Sequence, residues 1–260
     1  MPLNQERPLS PEERSHFDQR GYLIIRDLVP PDLVERMRKL VTLSLHPALG
    51  PLEYEAEVQY PGSPESLSVE GGLTPRRLLH AYSRGEVFRR WAHSRMATSV
   101  ISQLLGAQRL MLSQCHHNCI MTKSPRFSSE TGWHQDTRYW NFERPELVNT
   151  WLALGDEHES NGCMRVIPGS HRAQLSPEQF DELTFFTEDS DANQRMIESA
   201  ESAELSAGDV LFFHAHLLHA AGRNLTNEVK SAVVFTYHDE SNHPIPNTRS
   251  ARLPGVVVSA

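Results

Sequence analysis

A histidine and an aspartate two positions apart are the sharpest chemical feature of this sequence. They are His134 and Asp136, within the run GWHQD at residues 132–136. Residues i and i+2 of a β-strand point to the same face, so an imidazole and a carboxylate at this spacing can bind one metal ion together. With a second histidine they would form the 2-His-1-carboxylate triad, which leaves positions open for oxygen chemistry at Fe(II). By itself, the pair also fits a surface turn with two hydrated polar groups.

The second histidine of such a triad has three candidates in one segment. His214, His216 and His219 all lie in the apolar run DVLFFHAHLLH, residues 209–219. Each could instead be a core histidine whose ring nitrogens are bonded within the protein. His219 is modestly favoured because two leucines precede it and small residues follow it, so that its ring could face a cavity. The residues alone leave the choice among the three open.

The part of the chain before these residues is predicted to be mainly helical. Capping residues, proline and glycine mark where helices begin and end, and apolar residues at helical spacing mark their buried faces. The predicted elements are a helix between Ser10 and Gly21, a strand at 22–25, a helix opening at Pro30-Pro31-Asp32, a loop at 50–75 and a helix from Glu86 to Leu105 closed by Gly106.

After residue 106 the pattern changes to short apolar runs separated by turn residues. The predicted strands lie within residues 109–121, 148–154, 162–167, 209–219 and 231–238. Several short strands behind a helical layer indicate a jelly roll, and the acidic segment 175–206 is expected to be a long functional or mobile excursion. We therefore predict one domain over 1–260, with mostly helical support at 1–106, a jelly-roll core at 107–240 and a C-terminal tail at 241–260.

Composition excludes several classes of protein. The 260 residues carry a net charge of -8, and no basic stripe offsets it, so a nucleic-acid partner is not expected. Three cysteines without a CxxC pair argue against a disulfide framework and against a structural zinc cluster. No apolar run approaches the roughly 18 residues of a membrane helix, and the first residues lack the apolar core of a secretory leader. A cytoplasmic location is expected by default, and the oligomeric state is not readable.

Four motifs in a fixed order resemble the phytanoyl-CoA dioxygenase family of Fe(II)- and 2-oxoglutarate-dependent oxygenases. They are HQD, then NGC and IPGSH within residues 161–171, then GDVLFFH, then LLHAAGRNLTNEVKSAVVFTYH. The resemblance covers roughly residues 10 to 240 and implies a double-stranded β-helix, a cupin-like jelly roll. It also implies iron held by His134, Asp136 and His219, with 2-oxoglutarate and O₂ as cosubstrates.

This sequence departs from the family pattern at the residue expected to bind the far carboxylate of 2-oxoglutarate. The family usually has an arginine eleven residues after the distal histidine, whereas this chain has Lys230. A lysine has the required charge but lacks the two-pronged geometry of a guanidinium group. The alternative is a solvated lysine at a strand end, with Arg223 or Lys123 supplying the charge. Trp151 matches a tryptophan of the cosubstrate pocket in relatives, although an ordinary core role fits it equally well.

Other positions match the pocket of relatives with lower specificity. Cys119 lies on the strand before the HQD motif and is expected beside the cosubstrate. Gln135 lies between His134 and Asp136 and would project from the opposite face, where it could meet substrate or nothing. Tyr139 is a candidate substrate contact because residues 137–141 should form part of the mouth, and a packing role fits it equally well. Asn161-Gly162 and residues 168–171 have turn chemistry and are expected to set strand register.

The predicted function is hydroxylation of a C–H bond of a small organic metabolite, with succinate and CO₂ as coproducts. Related halogenases replace the aspartate with a small residue, so Asp136 favours hydroxylation. The alternatives are desaturation, cyclisation or epimerisation on the same scaffold, or a non-catalytic jelly roll that binds a metabolite. No cluster of lysine and arginine near the mouth points to a coenzyme A thioester, and the substrate itself is not readable.

Overall fold

Two antiparallel β-sheets form the protein in the computed structural model, which describes residues 3–259. The strands are β1 (Tyr22–Ile25), β2 (Leu52–Tyr54), β3 (Pro75–Leu79), β4 (Arg109–Leu112), β5 (Asn118–Lys123), β6 (Thr131–His134), β7 (Leu147–Ala153), β8 (Met164–Val166), β9 (Glu201–Ala203), β10 (Val210–His214), β11 (His219–Ala221), β12 (Lys230–Asp239) and β13 (Val256–Ser259). The helices are α1 (Pro11–Arg20), α2 (Pro31–Leu45), α3 (Glu55–Val58), α4 (Glu86–Ala92), α5 (Arg95–Leu105) and α6 (Asp191–Glu198).

The larger sheet has nine strands and the smaller has four. The order in the large sheet is β1-β10-β7-β12-β5-β3-β2, with β4 pairing with β12 and β13 at one edge, and the small sheet is β6-β11-β8-β9. Two facing antiparallel sheets with a helical layer confirm the predicted double-stranded β-helix. Within residues 3–259, no helix has the length and apolar character that crossing a bilayer requires.

Strand β12 packs against a different layer on each of its two faces. Its residues alternate between the two faces of the large sheet, as the period of two in a strand requires. Val233 and Phe235 face the helical layer, where they join the core that contains Trp91 of α4. Ala232 and Val234 face the interior between the sheets. Burial of a side chain such as Phe235 contributes about 1.5–3 kcal/mol, so this strand holds both layers in place.

The N-terminal helix agrees with its prediction, and the helix predicted from Glu86 to Leu105 does not. Ser10 caps α1 through a hydrogen bond from the amide of Glu13 to its hydroxyl, and the next residue after the helix, Gly21, is left-handed with φ 81. The long helix is broken into α4 and α5 because Ser94 adopts an extended conformation and accepts a hydrogen bond from the amide of Ala97. An N-cap serine starts a new helix there.

Three predicted segments also differ from the structure. The apolar run 209–219 is divided between β10 in the large sheet and β11 in the small one, so the chain crosses between sheets at residues 215–218. The predicted loop at 50–75 contains β2 and α3, and the excursion at 175–206 contains α6 and β9. Residues 256–259 form β13, which pairs with β4.

Candidate metal centre and its two cavities

The two histidines of the predicted triad are direct neighbours across the small sheet. His134 ends β6, His219 begins β11, and the strand register places them opposite each other with ring centroids 4.2 Å apart. The Nδ1 atoms of His134 and His219 each lie 2.9 Å from a carbonyl oxygen, that of Gly132 and that of Leu217 respectively. If Nδ1–H donates there, each Nε2 is left with a free lone pair for a metal ion.

Asp136 reaches the same point from outside the strand. Strand β6 ends at His134, and Asp136 starts a short 3-10 turn through Arg138, so the expectation that both ligands lie on one strand is wrong. Its Oδ1 nevertheless lies 3.9 Å from Nε2 of His134 and of His219. Ligand atoms of the three residues all lie within 4.8 Å of one another.

The other two candidate histidines lie elsewhere. The Nδ1 atom of His214 accepts a hydrogen bond from the backbone amide of His216. Neither residue belongs to the group of potential ligands found in the described part of the chain, which contains His134, Asp136 and His219.

The carboxylate of Asp136 is held by side chains that sequence reasoning missed. The Nδ2 atom of Asn149 donates to Oδ2 of Asp136 at 2.8 Å, and the hydroxyl of Thr236 donates to Oδ1 of Asn149 at 2.6 Å. The Nε2 atom of His117 lies 3.2 Å from both oxygens of Asp136. Asn149 could have been found, because it is an amide within the apolar run VNTWLAL, where a buried polar group needs a partner.

Burial and charge set these side chains in the state that a metal ion requires. Burial, with a further contribution from His219, lowers the pKa of His134 to about 3, and burial also lowers the pKa of His219. Burial alone would raise the pKa of Asp136, but the imidazole of His117, whose pKa is raised to about 9, is the largest of the effects that hold the Asp136 pKa well below its usual range. Two neutral imidazoles and an ionised carboxylate are therefore ready to bind a cation. This donor set fits non-haem Fe(II).

A first cavity, the inner cavity, extends from the metal ligands between the two sheets. It is lined by Glu55, Arg76, Arg77, His117, Met121, Thr122, Lys123, Thr131, His134, Trp151, Met164, Phe213, His219, Ala220, Ala221 and Lys230. The chain has three lysines, and two of them, Lys123 and Lys230, face this cavity. The alternative of a solvated Lys230 is wrong, because its side chain is 4% exposed.

Lys230 is paired with a buried glutamate that the sequence did not reveal. Its Nζ lies 2.8 Å from Oε2 of Glu157, while Oε1 of Glu157 accepts a hydrogen bond from Nε1 of Trp151 at 2.8 Å. The ammonium group also lies 5.0 Å from the centre of the Trp151 ring. Glu157 is fixed in turn by backbone hydrogen bonds in both directions with Leu205. Trp151 thus both lines the cavity and positions the partner of Lys230.

The other two candidates for the cosubstrate charge differ in their surroundings. Lys123 donates to the carbonyl of Ser129 at 2.7 Å, and burial together with the charge of Lys230 lowers its pKa to about 7. Arg223 instead donates to the carbonyls of Ser128 and Arg126 and does not line the inner cavity. Lys123 is therefore the second candidate for a cosubstrate anchor.

A second cavity, the outer cavity, meets the metal site from the other side. It is lined by Glu53, Val58, Tyr60, Arg76, Arg77, His116, His117, Thr131, His134, Asp136, Tyr139, Trp140 and Arg249. Of the predicted substrate contacts, Tyr139 lines this cavity. Gln135 is buried and donates to the carbonyl of His216 at 2.6 Å, and Cys119 is buried between the sheets; neither lines either cavity.

Comparison with known proteins agrees with this geometry. The family model for phytanoyl-CoA dioxygenase matches residues 17–232. This chain belongs to the phytanoyl-CoA dioxygenase family. The peroxisomal phytanoyl-CoA dioxygenase of Rattus norvegicus is 24% identical over 251 residues, covering 88% of this chain and 68% of the relative.

Solved structures share the fold of this family member. EctD from S. alaskensis, solved with 2-oxoglutarate and 5-hydroxyectoine, matches with a TM-score of 0.75 and 20% identity, covering 97% of this chain and 89% of that one. SnoN, a non-haem α-ketoglutarate-dependent epimerase from nogalamycin biosynthesis, matches with a TM-score of 0.72 and 21% identity, covering 90% and 85%. At these identities the likeness concerns the fold.

Proposed function

We propose that this member of the phytanoyl-CoA dioxygenase family is an Fe(II)- and 2-oxoglutarate-dependent hydroxylase of a small organic substrate. The observation that carries the proposal is the convergence of His134, Asp136 and His219 at the point where the inner and outer cavities meet. A metal ion there would be reachable from two sides, by a cosubstrate in one cavity and a substrate in the other. The balanced reaction converts substrate C–H, O₂ and 2-oxoglutarate into substrate C–OH, succinate and CO₂.

The three ligands would hold Fe(II), which supplies O₂ activation driven by oxidative decarboxylation of 2-oxoglutarate. Neighbouring side chains hold these ligands in position. The hydroxyl of Thr236 orients the side-chain amide of Asn149, and this amide donates to Oδ2 of Asp136. The other oxygen, Oδ1, therefore stays turned toward the two imidazoles. Ligand orientation by such outer contacts typically changes metal affinity 10–100-fold.

The inner cavity suits a dicarboxylate whose far end lies away from the metal. We assign that end to Lys230, because an ammonium group has three N–H donors and Glu157 accepts one of them. The remaining donors are available to a ligand carboxylate. Trp151, Met164 and Phe213 line the same cavity with apolar surface, which keeps water from the reacting atoms.

We favour hydroxylation over the other reactions known for proteins of this fold. EctD, one of the structural relatives, was solved with a hydroxylated compound, 5-hydroxyectoine, whereas SnoN is an epimerase. An aspartate at position 136 occupies the third protein ligand position, which favours oxygen transfer over halide transfer. Product analysis distinguishes the two reactions, because hydroxylation adds one oxygen atom whereas epimerisation leaves the mass unchanged.

The proposal is tested by incubating the purified protein with Fe(II), ascorbate, O₂ and 2-oxoglutarate across a panel of small metabolites. We expect succinate in excess of a His134→Ala control, and a product heavier by one oxygen atom for the accepted substrate. Iron binding is measured separately by anaerobic titration. Stoichiometric iron binding without succinate above the control would favour a metabolite-binding protein over an enzyme.

A further inference from the structure

The outer cavity carries more positive than negative charge. Three arginines line it, Arg76, Arg77 and Arg249, against two carboxylates, Glu53 and Asp136. Asp136 is a ligand of the metal site, which leaves Glu53, together with Glu55 at 3.8 Å from Nε of Arg76, to offset the guanidinium groups. Sequence reasoning found no basic cluster at the mouth because these arginines come from two segments more than 170 positions apart.

Arg76 is engaged mainly by the protein itself. Its side chain is 4% exposed and donates to Glu53 at 3.0 Å and to the hydroxyl of Thr131 at 3.0 Å. Its guanidinium carbon also lies 5.1 Å from the centre of the Tyr60 ring. Arg76 therefore supports the wall of the cavity and has little capacity left for a ligand.

Arg77 is close to a carboxylate but is not hydrogen-bonded to it. Its Nε lies 3.3 Å from Oε1 of Glu53, the oxygen that already accepts from Arg76, and this Nε has no hydrogen-bond partner within residues 3–259. The guanidinium group lines both cavities beside His134. The Arg77 side chain is 25% exposed, and its two terminal nitrogens form no hydrogen bond with a residue within 3–259, so these are the donors available to a ligand.

Arg249 lies on a fixed backbone with a free side chain. The hydroxyl of the next residue, Ser250, accepts a hydrogen bond from the amide of Asn141 at 2.8 Å and bonds Nε2 of His116 at 2.7 Å. The turn is thereby pinned to the rim of the outer cavity. The guanidinium group of Arg249 forms no ion pair or hydrogen bond with any residue that the structure describes.

The aromatic lining indicates the shape of the remaining part of a ligand. His116 stacks on Trp140 with ring centroids 4.6 Å apart and an interplanar angle of 21°. Burial lowers the pKa of His116 to about 3, so its ring adds no charge. Tyr60 lines the same cavity. Flat aromatic surfaces of this kind contact the faces of planar groups.

We infer that the substrate is a carboxylate, held by Arg77 and Arg249, whose planar or unsaturated body lies along the aromatic surface of the outer cavity. The inference rests on the proposed oxygenase function and names the substrate class of that same site. A guanidinium fork matches a carboxylate in two parallel hydrogen bonds, which a neutral amide cannot reproduce. The carboxylate would fix the body of the substrate so that one C–H bond faces the metal.

The test is binding of matched pairs of aryl and alkenyl carboxylic acids and their primary amides, across a range of chain lengths. Binding is followed as the change in visible absorption and in Tm of the anaerobic Fe(II) and 2-oxoglutarate complex. We expect at least one acid to bind tenfold or more tightly than its amide. Arg249→Gln should remove this preference, whereas Arg252→Gln, an exposed arginine three positions further that lines neither cavity, should keep it.

The outcomes separate this inference from the proposed function. Acids that bind no better than amides, or an acid preference unchanged in Arg249→Gln, would overturn the carboxylate assignment even if succinate is formed. A preference for phosphate monoesters over the matched carboxylates would overturn it as well. An Arg249-dependent preference in a protein that makes no succinate would support the binding site and reject the oxygenase.

A second variant, Arg77→Gln, is expected to weaken acid binding while the 2-oxoglutarate affinity stays within about twofold. A selective loss of 2-oxoglutarate affinity would instead assign Arg77 to cosubstrate binding.

Discussion

Replacing Lys230 with methionine should lower both the stability of the protein and its affinity for 2-oxoglutarate, for two separable reasons. The ammonium group lies 2.8 Å from the carboxylate of Glu157, and the two side chains are 4% and 0% exposed. At an effective dielectric constant of about 20, Coulomb's law gives an attraction of about 6 kcal/mol. Desolvation of both ions opposes it, but removal of one partner leaves a buried charge, and such changes cost about 3–5 kcal/mol.

A second substitution separates the structural role of the ion pair from its role in binding. Glu157→Gln alone should also destabilise the protein, because Lys230 then lacks its partner. The double variant Lys230→Met/Glu157→Gln buries no unpaired charge, and the glutamine oxygen can still accept from Nε1 of Trp151. We therefore expect it to regain most of the lost stability, with a coupling free energy of at least about 2 kcal/mol in the double-mutant cycle.

The assays are urea unfolding of the metal-free protein and calorimetric titration of 2-oxoglutarate into the anaerobic Fe(II) complex. Both Lys230→Met and the double variant should bind 2-oxoglutarate at least about tenfold more weakly, in line with a lost charge-assisted hydrogen bond of 1.5–3 kcal/mol. Iron affinity should change by less than about twofold. Lys39→Met, the change at the exposed third lysine, serves as the control and should affect neither quantity.

One result would refute this reasoning. If the double variant regains both stability and 2-oxoglutarate affinity, Lys230 serves only to neutralise Glu157. The cosubstrate anchor would then be Lys123, the other lysine of the inner cavity.

Three further predictions concern the metal site and the inner cavity. His219→Ala should abolish iron binding while His216→Ala retains it, as measured by anaerobic iron titration; the reverse would show that the ligand assignment is wrong. Asn149→Ala should weaken iron binding about 10–100-fold with little change in far-UV circular dichroism, because it removes the donor to the Asp136 carboxylate. Burial and Lys230 lower the pKa of Lys123 to about 7, and a bound dianion should raise it. Binding of 2-oxoglutarate should therefore take up a proton and weaken as the pH rises above about 7, a dependence that Lys123→Met should reduce.

The fold was predictable where local pattern and tertiary structure agree. The capped helix start at Ser10 and the strand within residues 231–238 depend on neighbours within a few positions, and the structure confirms both. The break at Ser94 was missed because the apolar residues on both sides keep helical spacing across it. A single serine hydroxyl decides there whether one helix continues or two form.

The site was predictable in its ligands and not in their partners. The motif HQD identified His134 and Asp136, and the family resemblance selected His219 among three histidines. Glu157, by contrast, lies 73 positions before Lys230, and only the turn after β7 and its pairing with Leu205 bring the two together. A charged residue after a buried strand is normally solvated, so nothing in the local sequence marks this one as buried.

The charges of the two cavities, taken together, bear on the kind of substrate. The cationic groups are Arg76, Arg77, Lys123, Lys230 and Arg249, and the anionic groups are Glu53, Glu55, Asp136 and the adjoining Glu157. His117 is left out because its protonation depends on Asp136, which a metal would bind. A ferrous ion adds two positive charges and 2-oxoglutarate two negative ones, so that one positive charge remains.

A substrate with a single carboxylate neutralises this remaining positive charge within a site of low dielectric constant, where uncompensated charge is costly. A coenzyme A thioester brings several negative phosphate charges, and within the described range 3–259 no further lysine or arginine lines either cavity to meet them. Charge balance therefore favours a free acid over an acyl-coenzyme A as the molecule that this enzyme oxidises.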